Sequence, residues 1–254
     1  MITIFRKIRE KTLIENKFSK YLIYAIGEII LVVIGILIAL SVNNWNESNN
    51  LSKKELSQLT KLKNDVDSDI EYLNKEDSRY EKFEAASKIS IDLFYKAENI
   101  KDLDSIYIMS SSLWNELYIN QNSYNEMINS GSMYLIKNKE LQKTITEYYI
   151  AVEANRMYLR EVNKTQNHLW NINSDIYPYK FLVSLPENHK VDFGLIDTSW
   201  IGNPNSPSYL AVLSFLESNY GTNNVYRRFV YQRILEKADV LTKAIQEELK
   251  SRNK

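Results

Sequence analysis

The sequence contains no cysteine and only two histidines. Without cysteine the chain forms no disulfide, offers no thiolate to zinc and has no cysteine nucleophile. Two histidines, His168 and His189, are too few for a histidine-based metal site. The 32 basic and 32 acidic side chains balance, whereas a nucleic-acid-binding protein usually has a basic excess or stripe. We therefore predict no metal, no cofactor and no nucleic-acid partner.

Residues that break helices are also scarce. All four prolines lie between Pro178 and Pro207, and Gly131 is the only glycine between Gly35 and Gly194. A chain with so few breakers is expected to be helical over most of its length. No phosphate-binding loop, nucleophile elbow or zinc-protease helix occurs, so the sequence does not predict an enzyme.

One long hydrophobic run is present, from Tyr21 to Val42, with a single ionisable residue. As a helix this run is about 33 Å long, enough to cross a hydrocarbon core of roughly 30 Å. A buried helix of a soluble protein is usually shorter. A cleaved signal peptide is a further alternative, but its apolar core is typically ~7–15 residues long. We predict an uncleaved transmembrane helix over residues 21–42.

The charges on either side of this run predict its orientation. Residues 1–20 carry six basic and two acidic side chains, which suits a cytoplasmic or interfacial segment on an anionic leaflet. The positive-inside bias then places residues 46–254 outside the cytoplasm, in the periplasm if the membrane is a bacterial inner membrane. Trp45 follows the run and is predicted to anchor it at the outer interface.

Glu28 lies within the predicted span, where a carboxylate is costly and is therefore a functional candidate. A stripe at a spacing of four residues consists of Gly27, Leu31, Gly35 and Ala39, and Gly35-x-x-x-Ala39 is a small-residue pair of the kind that lets helices approach closely. Three interpretations are open: helix–helix assembly, a passive anchor, and proton or ion coupling. We favour assembly, because a single span cannot form a transport path alone.

Beyond the span, apolar residues recur with helical periodicity. One face, within a helix expected from about Leu51 to Tyr95, contains Leu56, Leu59, Leu62, Val66, Ile70, Leu73, Tyr80 and Phe83. Another, in a helix expected to begin near Asn138, contains Leu141, Ile145, Tyr148, Val152, Leu159, Val162 and Leu169. Asn155 and Gln166 occupy seam positions on the second face, where polar residues often fix register; a small polar pocket is the alternative. These patterns predict an all-α fold, an antiparallel bundle of long coiled-coil-like helices.

Several shorter features lie between these faces. A helix is expected around Ile106–Tyr118. Ser123-x-x-Glu126 matches a capping box, which predicts a short helix ending near Gly131 in a left-handed cap. We interpret this motif as a structural unit that turns the chain. The alternative is that Tyr124 and Asn125 contact a ligand.

The last part of the chain combines an irregular segment with two further helices. Residues 177–208 hold the prolines together with Tyr179, His189 and Trp200. Two interpretations are open: the segment is an ordinary connector, or it is where a partner or ligand contacts the domain, through these three residues. A small hairpin is expected over 181–184 and 190–193. A helix stopping near Gly221 and a final helix are expected after this segment, with Phe229, Val230, Ile234, Leu241, Ile245 and Leu249 on the apolar face of the final helix.

Two stretches resemble a known family. "FRKIREKTLIENKFSKYLIYAIGEIILVVIGILIALSVNNWNE" and "NSYNEMINSGSMYLIKNKELQKTITEYY" are similar to segments of a domain-of-unknown-function family of Gram-negative bacterial membrane proteins. The resemblance implies one N-terminal span followed by a mostly helical domain. It implies no activity and no catalytic residues.

The sequence thus predicts a membrane-anchored helical interaction or scaffold protein that assembles with itself or with another membrane protein. The alternative is a periplasmic ligand-sensing bundle, which would need a partner protein for its output because only residues 1–20 precede the span. An enzyme is the least favoured class.

Overall fold

A computed structural model describes residues 18–110, 116–176 and 197–252. Its helices are α1 (Phe18–Phe94), α2 (Ile100–Met109), α3 (Asn122–Asn129), a 3₁₀ turn (Ser132–Leu135), α4 (Lys139–Ile176), α5 (Pro207–Asn224), a π-helix (Val225–Tyr231) and α6 (Gln232–Arg252). These described ranges contain no β-strand. The all-α prediction is therefore confirmed. The predicted hairpin lies outside the described residues.

The chain divides into two compact units, Met1–Ser57 and Gln58–Lys254. The N-terminal unit contains the first part of α1. Among the described residues, α1 is the one helix long and apolar enough to cross a membrane. Its most apolar 18-residue window has a mean hydropathy of 2.8, and none of that window is buried. The side chains from Leu22 to Val42 are largely exposed, as expected of a helix whose apolar surface contacts lipid or another helix.

The C-terminal unit is a helical bundle of three long stretches. Residues 58–94 of α1 and the whole of α4 run in the same direction, and the continuous α5–π–α6 stretch runs antiparallel to both. Asp67 contacts Thr242 and Tyr80 contacts Tyr226, which sets the direction of α1 against the α5–π–α6 stretch. Asn138, just before α4, contacts Glu248 and Gln166 contacts Thr222, which sets the direction of α4. The predicted antiparallel bundle is thus present, built by the two apolar faces predicted on α1 and α4.

Two hydrophobic clusters form the core of the bundle. The larger includes Leu59, Leu62, Val66, Leu73, Tyr80, Leu141, Ile145, Tyr148, Val152, Leu159, Ile234, Leu241 and Ile245. The smaller surrounds Phe94, Leu103, Trp200, Tyr209 and Phe215. At about 1.5–3 kcal/mol for each fully buried large apolar side chain, these clusters supply the main drive for folding.

Helix α2 begins earlier than its periodicity predicted. The Asn99 side chain accepts a hydrogen bond from the backbone of Lys101, and the Asp102 carboxylate accepts one from the backbone of Asn99 at 3.1 Å. This capping box starts the helix at Ile100. The predicted helix over 106–118 was therefore wrong at both ends, because α2 ends at Met109 and residues 116–121 are not helical.

The turn after α3 agrees with its prediction. Gly131 has φ of 69°, a left-handed conformation that costs residues with a Cβ roughly 1–2 kcal/mol. Ser130 N–H donates to Glu126 O, and Gly131 N–H donates to Ile128 O. The glycine therefore ends α3 and starts the 3₁₀ turn.

The predicted stop near Gly221 was wrong. Gly221 lies inside α5, and the chain continues through the π-helix into α6 without a break. A π-helix closes its hydrogen bonds at i→i+5 rather than i→i+4, so it shifts the apolar stripe around the axis. Phe229 is consequently 58% exposed although it was predicted on the apolar face, whereas Val230 and Ile234 are buried.

Candidate functional site: a polar cleft in the bundle

An extended segment, residues 116–121, is the structural centre of the candidate site. It has no helix or turn, and its residues alternate between exposed and buried, with Leu117 and Ile119 facing the core. Such period-two alternation is typical of an extended strand. The segment lies against α1 and α4 and leads directly into α3.

Two aspartates one turn apart on α1 hold this segment. Asp69 accepts hydrogen bonds from the backbone N–H of Asn120 at 2.8 Å and from the Tyr148 hydroxyl at 3.0 Å. Asp65 accepts from the Asn120 side chain at 2.9 Å and from the backbone N–H of Ser123 at 3.0 Å. Charge-assisted bonds of this kind are roughly twice as strong as neutral ones. Asp65 and Asp69 thus fix both the segment and the start of α3.

The predicted capping box at Ser123 and Glu126 was wrong for this reason. No side chain of α3's own N-terminal residues caps it, since Asp65 of α1 satisfies the free N–H of Ser123 instead. The Glu126 carboxylate accepts hydrogen bonds from Gln58 at 2.8 Å and from Lys61 at 3.0 Å. Local sequence cannot show a cap that another helix supplies.

Asp69 has an unusual electrostatic environment. The residue is only 3% exposed, and this burial raises its pKa from 3.8 to about 6. The two hydrogen bonds from Asn120 and Tyr148 oppose the rise, and the neighbouring Asp65 charge adds to it. Burial likewise raises the pKa of Tyr148 and Tyr149, so both phenols are neutral donors at physiological pH.

An open cleft of about 620 Å³ lies between α1, the extended segment and α4. This volume is within the range of ligand sites in proteins, about 300–1,000 Å³. Its lining consists of Ser68, Asp69, Tyr72, residues 116–120, Arg156 and Arg160.

The α4 wall of the cleft carries two arginines. Arg156 is paired with Glu153 of the same helix at 2.7 Å. Arg160 is exposed and makes no ion pair or hydrogen bond with the part of the chain that the structure describes. The exposed ring of Tyr118 meets that of Tyr72 edge-to-face at 6.4 Å. The cleft thus presents the Arg160 guanidinium beside an aromatic surface, in a lining that also carries the acidic residues Asp69 and Glu116.

A second polar feature separates the two hydrophobic clusters inside the bundle. Gln166 of α4 donates to the Ser218 hydroxyl at 2.6 Å and also to Thr222. Asn223 donates to Ser87 of α1 at 2.9 Å, and Asn219 donates to the Ser110 carbonyl at 2.8 Å. These bonds link α1, α4 and α5 at one level, a device that can specify one helix register.

Some sequence-predicted residues belong to these features. Gln166 is a buried polar seam residue, 3% exposed, while Asn155 is half-buried and donates to Ala151 of its own helix. The Tyr124 ring is stacked on Tyr149 at 4.0 Å, and Asn125 is exposed. Tyr124 therefore packs beside the extended segment.

Other predicted residues lie elsewhere. Trp200 is 3% exposed and packs in the smaller hydrophobic cluster, while Tyr179 and His189 lie outside the described residues. In the N-terminal unit, Trp45 is 70% exposed and Glu28 is exposed. Added Cβ atoms at the span glycines, Gly27 and Gly35, would meet nothing within 4 Å, and Ala39 is exposed.

Sequence reasoning missed the residues that build the cleft. Asp65, Asp69, Arg156 and Arg160 lie within ordinary alternating charge, the usual pattern of a solvated helix face. One sequence feature could have indicated the cleft: Asp69 falls three residues after Val66, so an acidic side chain lies on the apolar face of α1. Within the described residues no group of three acidic or histidine side chains could hold a metal ion, and His168 is exposed.

The fold and the site define an all-helical protein with one candidate membrane helix and a bundle that carries an open polar cleft. The chain belongs to DUF6090, a family of unknown function, whose family model matches residues 28–184. The matched region runs from Glu28 and includes every residue that lines the cleft. No curated protein and no solved structure matches the chain.

Proposed function

We propose that this protein is a single-pass membrane-anchored interaction protein of a Gram-negative inner membrane, with its helical bundle in the periplasm. The observation that carries the proposal is the apolar stretch of α1, which has a mean hydropathy of 2.8 over 18 residues, none of them buried. A surface this apolar needs lipid or another helix to cover it. The basic excess of residues 1–20 supports a cytoplasmic N-terminus.

The span itself supports assembly with a second copy or with another membrane protein. Glu28 is exposed on the helix, so among the described residues of the N-terminal unit it has no protein environment to offset the cost of a carboxyl group in hydrocarbon. Contact with another span would bury and hydrogen-bond it. Gly35 and Ala39 leave room for such close contact.

The test is extraction of the native protein in a mild detergent, followed by mass spectrometry of what co-purifies. Wild type is compared with Glu28→Gln and with Glu47→Gln, a control acid that follows the span. We expect a stoichiometric complex in wild type and in the control, reduced in Glu28→Gln. A strictly monomeric protein without a partner in all three samples would refute assembly.

Topology has its own test. Protease added to intact spheroplasts should degrade the bundle of a periplasmic domain and leave a cytoplasmic marker protein intact. Protection of the bundle until the membrane is lysed would reverse the proposed orientation.

A second candidate function, a ligand-sensing bundle working through a partner protein, is favoured by the cleft of about 620 Å³. Its test is a thermal-shift screen of small polar solutes on the full-length protein, with Arg160→Gln as the control. A stabilising solute that loses its effect in Arg160→Gln would support sensing, and a flat screen would count against it.

A further inference from the structure

A layer of buried polar side chains crosses the bundle between its two hydrophobic clusters. On α1 no residue of either cluster lies between Phe83 and Ile91, and on α4 none lies between Val162 and Leu169. The α5–π stretch has the same interruption over residues 217–225. The polar layer consists of the buried polar residues at this level: Ser87, Ser90, Ser110, Gln166, Asn219, Thr222 and Asn223.

Three members of the polar layer bury a polar atom that has no hydrogen-bond partner in the described part of the chain. These atoms are Gln166 Oε1, Asn223 Oδ1 and Ser110 Oγ, in residues that are at most 3% exposed. Exchanging the oxygen and nitrogen of either amide does not remove the mismatch, because each amide finds partners on one of its two sides only. A buried polar atom without a partner loses its hydration and gains nothing in return, so the layer weakens the packing across it.

The backbone changes its hydrogen-bond pattern at the same level. The π-helix begins at Val225, two residues after Asn223 of the polar layer. Segments of this kind are rare, frequently lie at functional sites and are among the few places where helices kink sharply. An interrupted core and an altered helix therefore meet at one level of the bundle.

Parting the bundle at this level costs less than parting it through either cluster. The part beyond the layer, called the small-cluster section, comprises α2, residues 91–94 of α1, residues 169–176 of α4 and residues 207–216 of α5. On opening, water hydrates the three unpartnered atoms and replaces the hydrogen bonds that cross the layer, so the net loss of hydrogen bonding is small. The larger cluster keeps its own contacts.

We propose that the polar layer is a hinge plane, at which the small-cluster section opens as one cooperative unit while the larger cluster stays folded. Proteins open locally in such contiguous units, with free energies below that of global unfolding. The opening uncovers the apolar side chains of Phe94, Tyr209 and Phe215, which are buried in the closed bundle. The inference goes beyond the membrane-anchored interaction function proposed above and concerns the C-terminal unit alone.

The test is hydrogen–deuterium exchange of the full-length protein in detergent, followed by mass spectrometry of peptic fragments at several low urea concentrations. The amides of α2 and of residues 207–216 should exchange through one shared opening, with the same dependence on urea. Their protection should be at least about tenfold below that of residues 141–159, which lie in the larger cluster.

A substitution in the larger cluster separates this opening from global unfolding. Ile145 is fully buried there, and Ile145→Val should speed the exchange of residues 141–159 about two- to tenfold. The exchange of α2 should stay unchanged, because the contacts of Ile145 persist when the small-cluster section opens.

A substitution in the polar layer should act on the opening itself. Ser110→Ala removes an unpartnered buried hydroxyl without removing a hydrogen bond, so it should slow the exchange of α2 and of residues 207–216 about five- to thirtyfold. Ser105→Ala changes an exposed serine of the same helix and should alter this exchange by less than about threefold.

Four results would each overturn the hinge: equal protection on both sides of the layer, different urea dependences for α2 and residues 207–216, equal acceleration of both sections by Ile145→Val, or exchange in Ser110→Ala that is no slower than in Ser105→Ala. Circular dichroism of the variants should match wild type, and the wild-type exchange pattern decides the question even if a variant does not fold. The measurement needs no membrane partner, so its failure is separate from a failure of the assembly proposed for the span.

Discussion

Replacing Asp69 by asparagine should stabilise the protein at neutral pH, although the Asp69 carboxylate accepts two hydrogen bonds. Asparagine has nearly the same shape, so its carbonyl can accept from the Asn120 N–H while its amide donates to the Tyr148 hydroxyl. The substitution removes the cost of holding a charge at a site only 3% exposed.

The magnitude follows from the pKa of Asp69. Its rise from 3.8 to about 6 corresponds to at most about 3 kcal/mol of lost stability at neutral pH. Because the cleft is open to water, screening reduces the expected effect to about 1–2 kcal/mol. A raised pKa means that the folded state holds the proton more tightly than the unfolded state. This stabilisation is fully present below pH 3.8 and is lost as the pH rises through about 6.

The assay is urea unfolding of the full-length protein in detergent between pH 4 and pH 8, followed by circular dichroism. The free energy of unfolding of Asp69→Asn minus that of wild type should be near zero at pH 4 and reach about +1–2 kcal/mol above pH 7. Asp92→Asn, at an exposed position on α1, should show no such trend. Taking the difference cancels the titration of the other groups.

Asp69→Leu separates the charge from the hydrogen bonds. It leaves the Asn120 N–H and the Tyr148 hydroxyl without their acceptor and should destabilise by about 1–3 kcal/mol. If Asp69→Asn were less stable than wild type at pH 8, or if its difference from wild type did not change with pH, the account of Asp69 as a charge buried at a cost would be refuted.

Three further predictions concern the same bundle and are measured by the same unfolding assay. Gly131→Ala should cost about 1–2 kcal/mol because Gly131 has a φ of 69°. Gly221→Ala, inside α5, should instead stabilise by up to about 1 kcal/mol because nothing lies within 4 Å of the added Cβ. Similar changes in the free energy of unfolding at both sites would contradict the assigned backbone conformations. Arg227→Met removes the partner of three α1 carboxylates, the closest at 2.6 Å. The substitution should cost about 1–3 kcal/mol and reduce the salt dependence of stability. An unchanged salt dependence would exclude this ion-pair network. Asn223→Ala, at a fully buried position, removes the hydrogen bond that Asn223 donates to Ser87 and should cost about 1–3 kcal/mol. A stabilising effect would show that this hydrogen bond is not formed as described.

The sequence alone was sufficient for the features that depend on local periodicity and composition. The run from Tyr21 to Val42, the apolar faces of α1 and α4, and the left-handed turn at Gly131 are each encoded by neighbouring residues. Hydrophobic burial follows helical spacing, and a positive φ favours glycine, so both can be read without a fold. The resemblance of the two quoted stretches, around the span and over residues 122–149, also predicted the family.

The tertiary structure decided the features that depend on distant residues. Asp65 caps α3 from another helix, and the π-helix rotates Phe229 out of the core. The cleft brings together Asp69, the extended segment and Arg160 from three parts of the chain. Hydrogen bonds and burial between such residues depend on how the helices pack, and alternating surface charge has no periodicity that marks which side chains will meet.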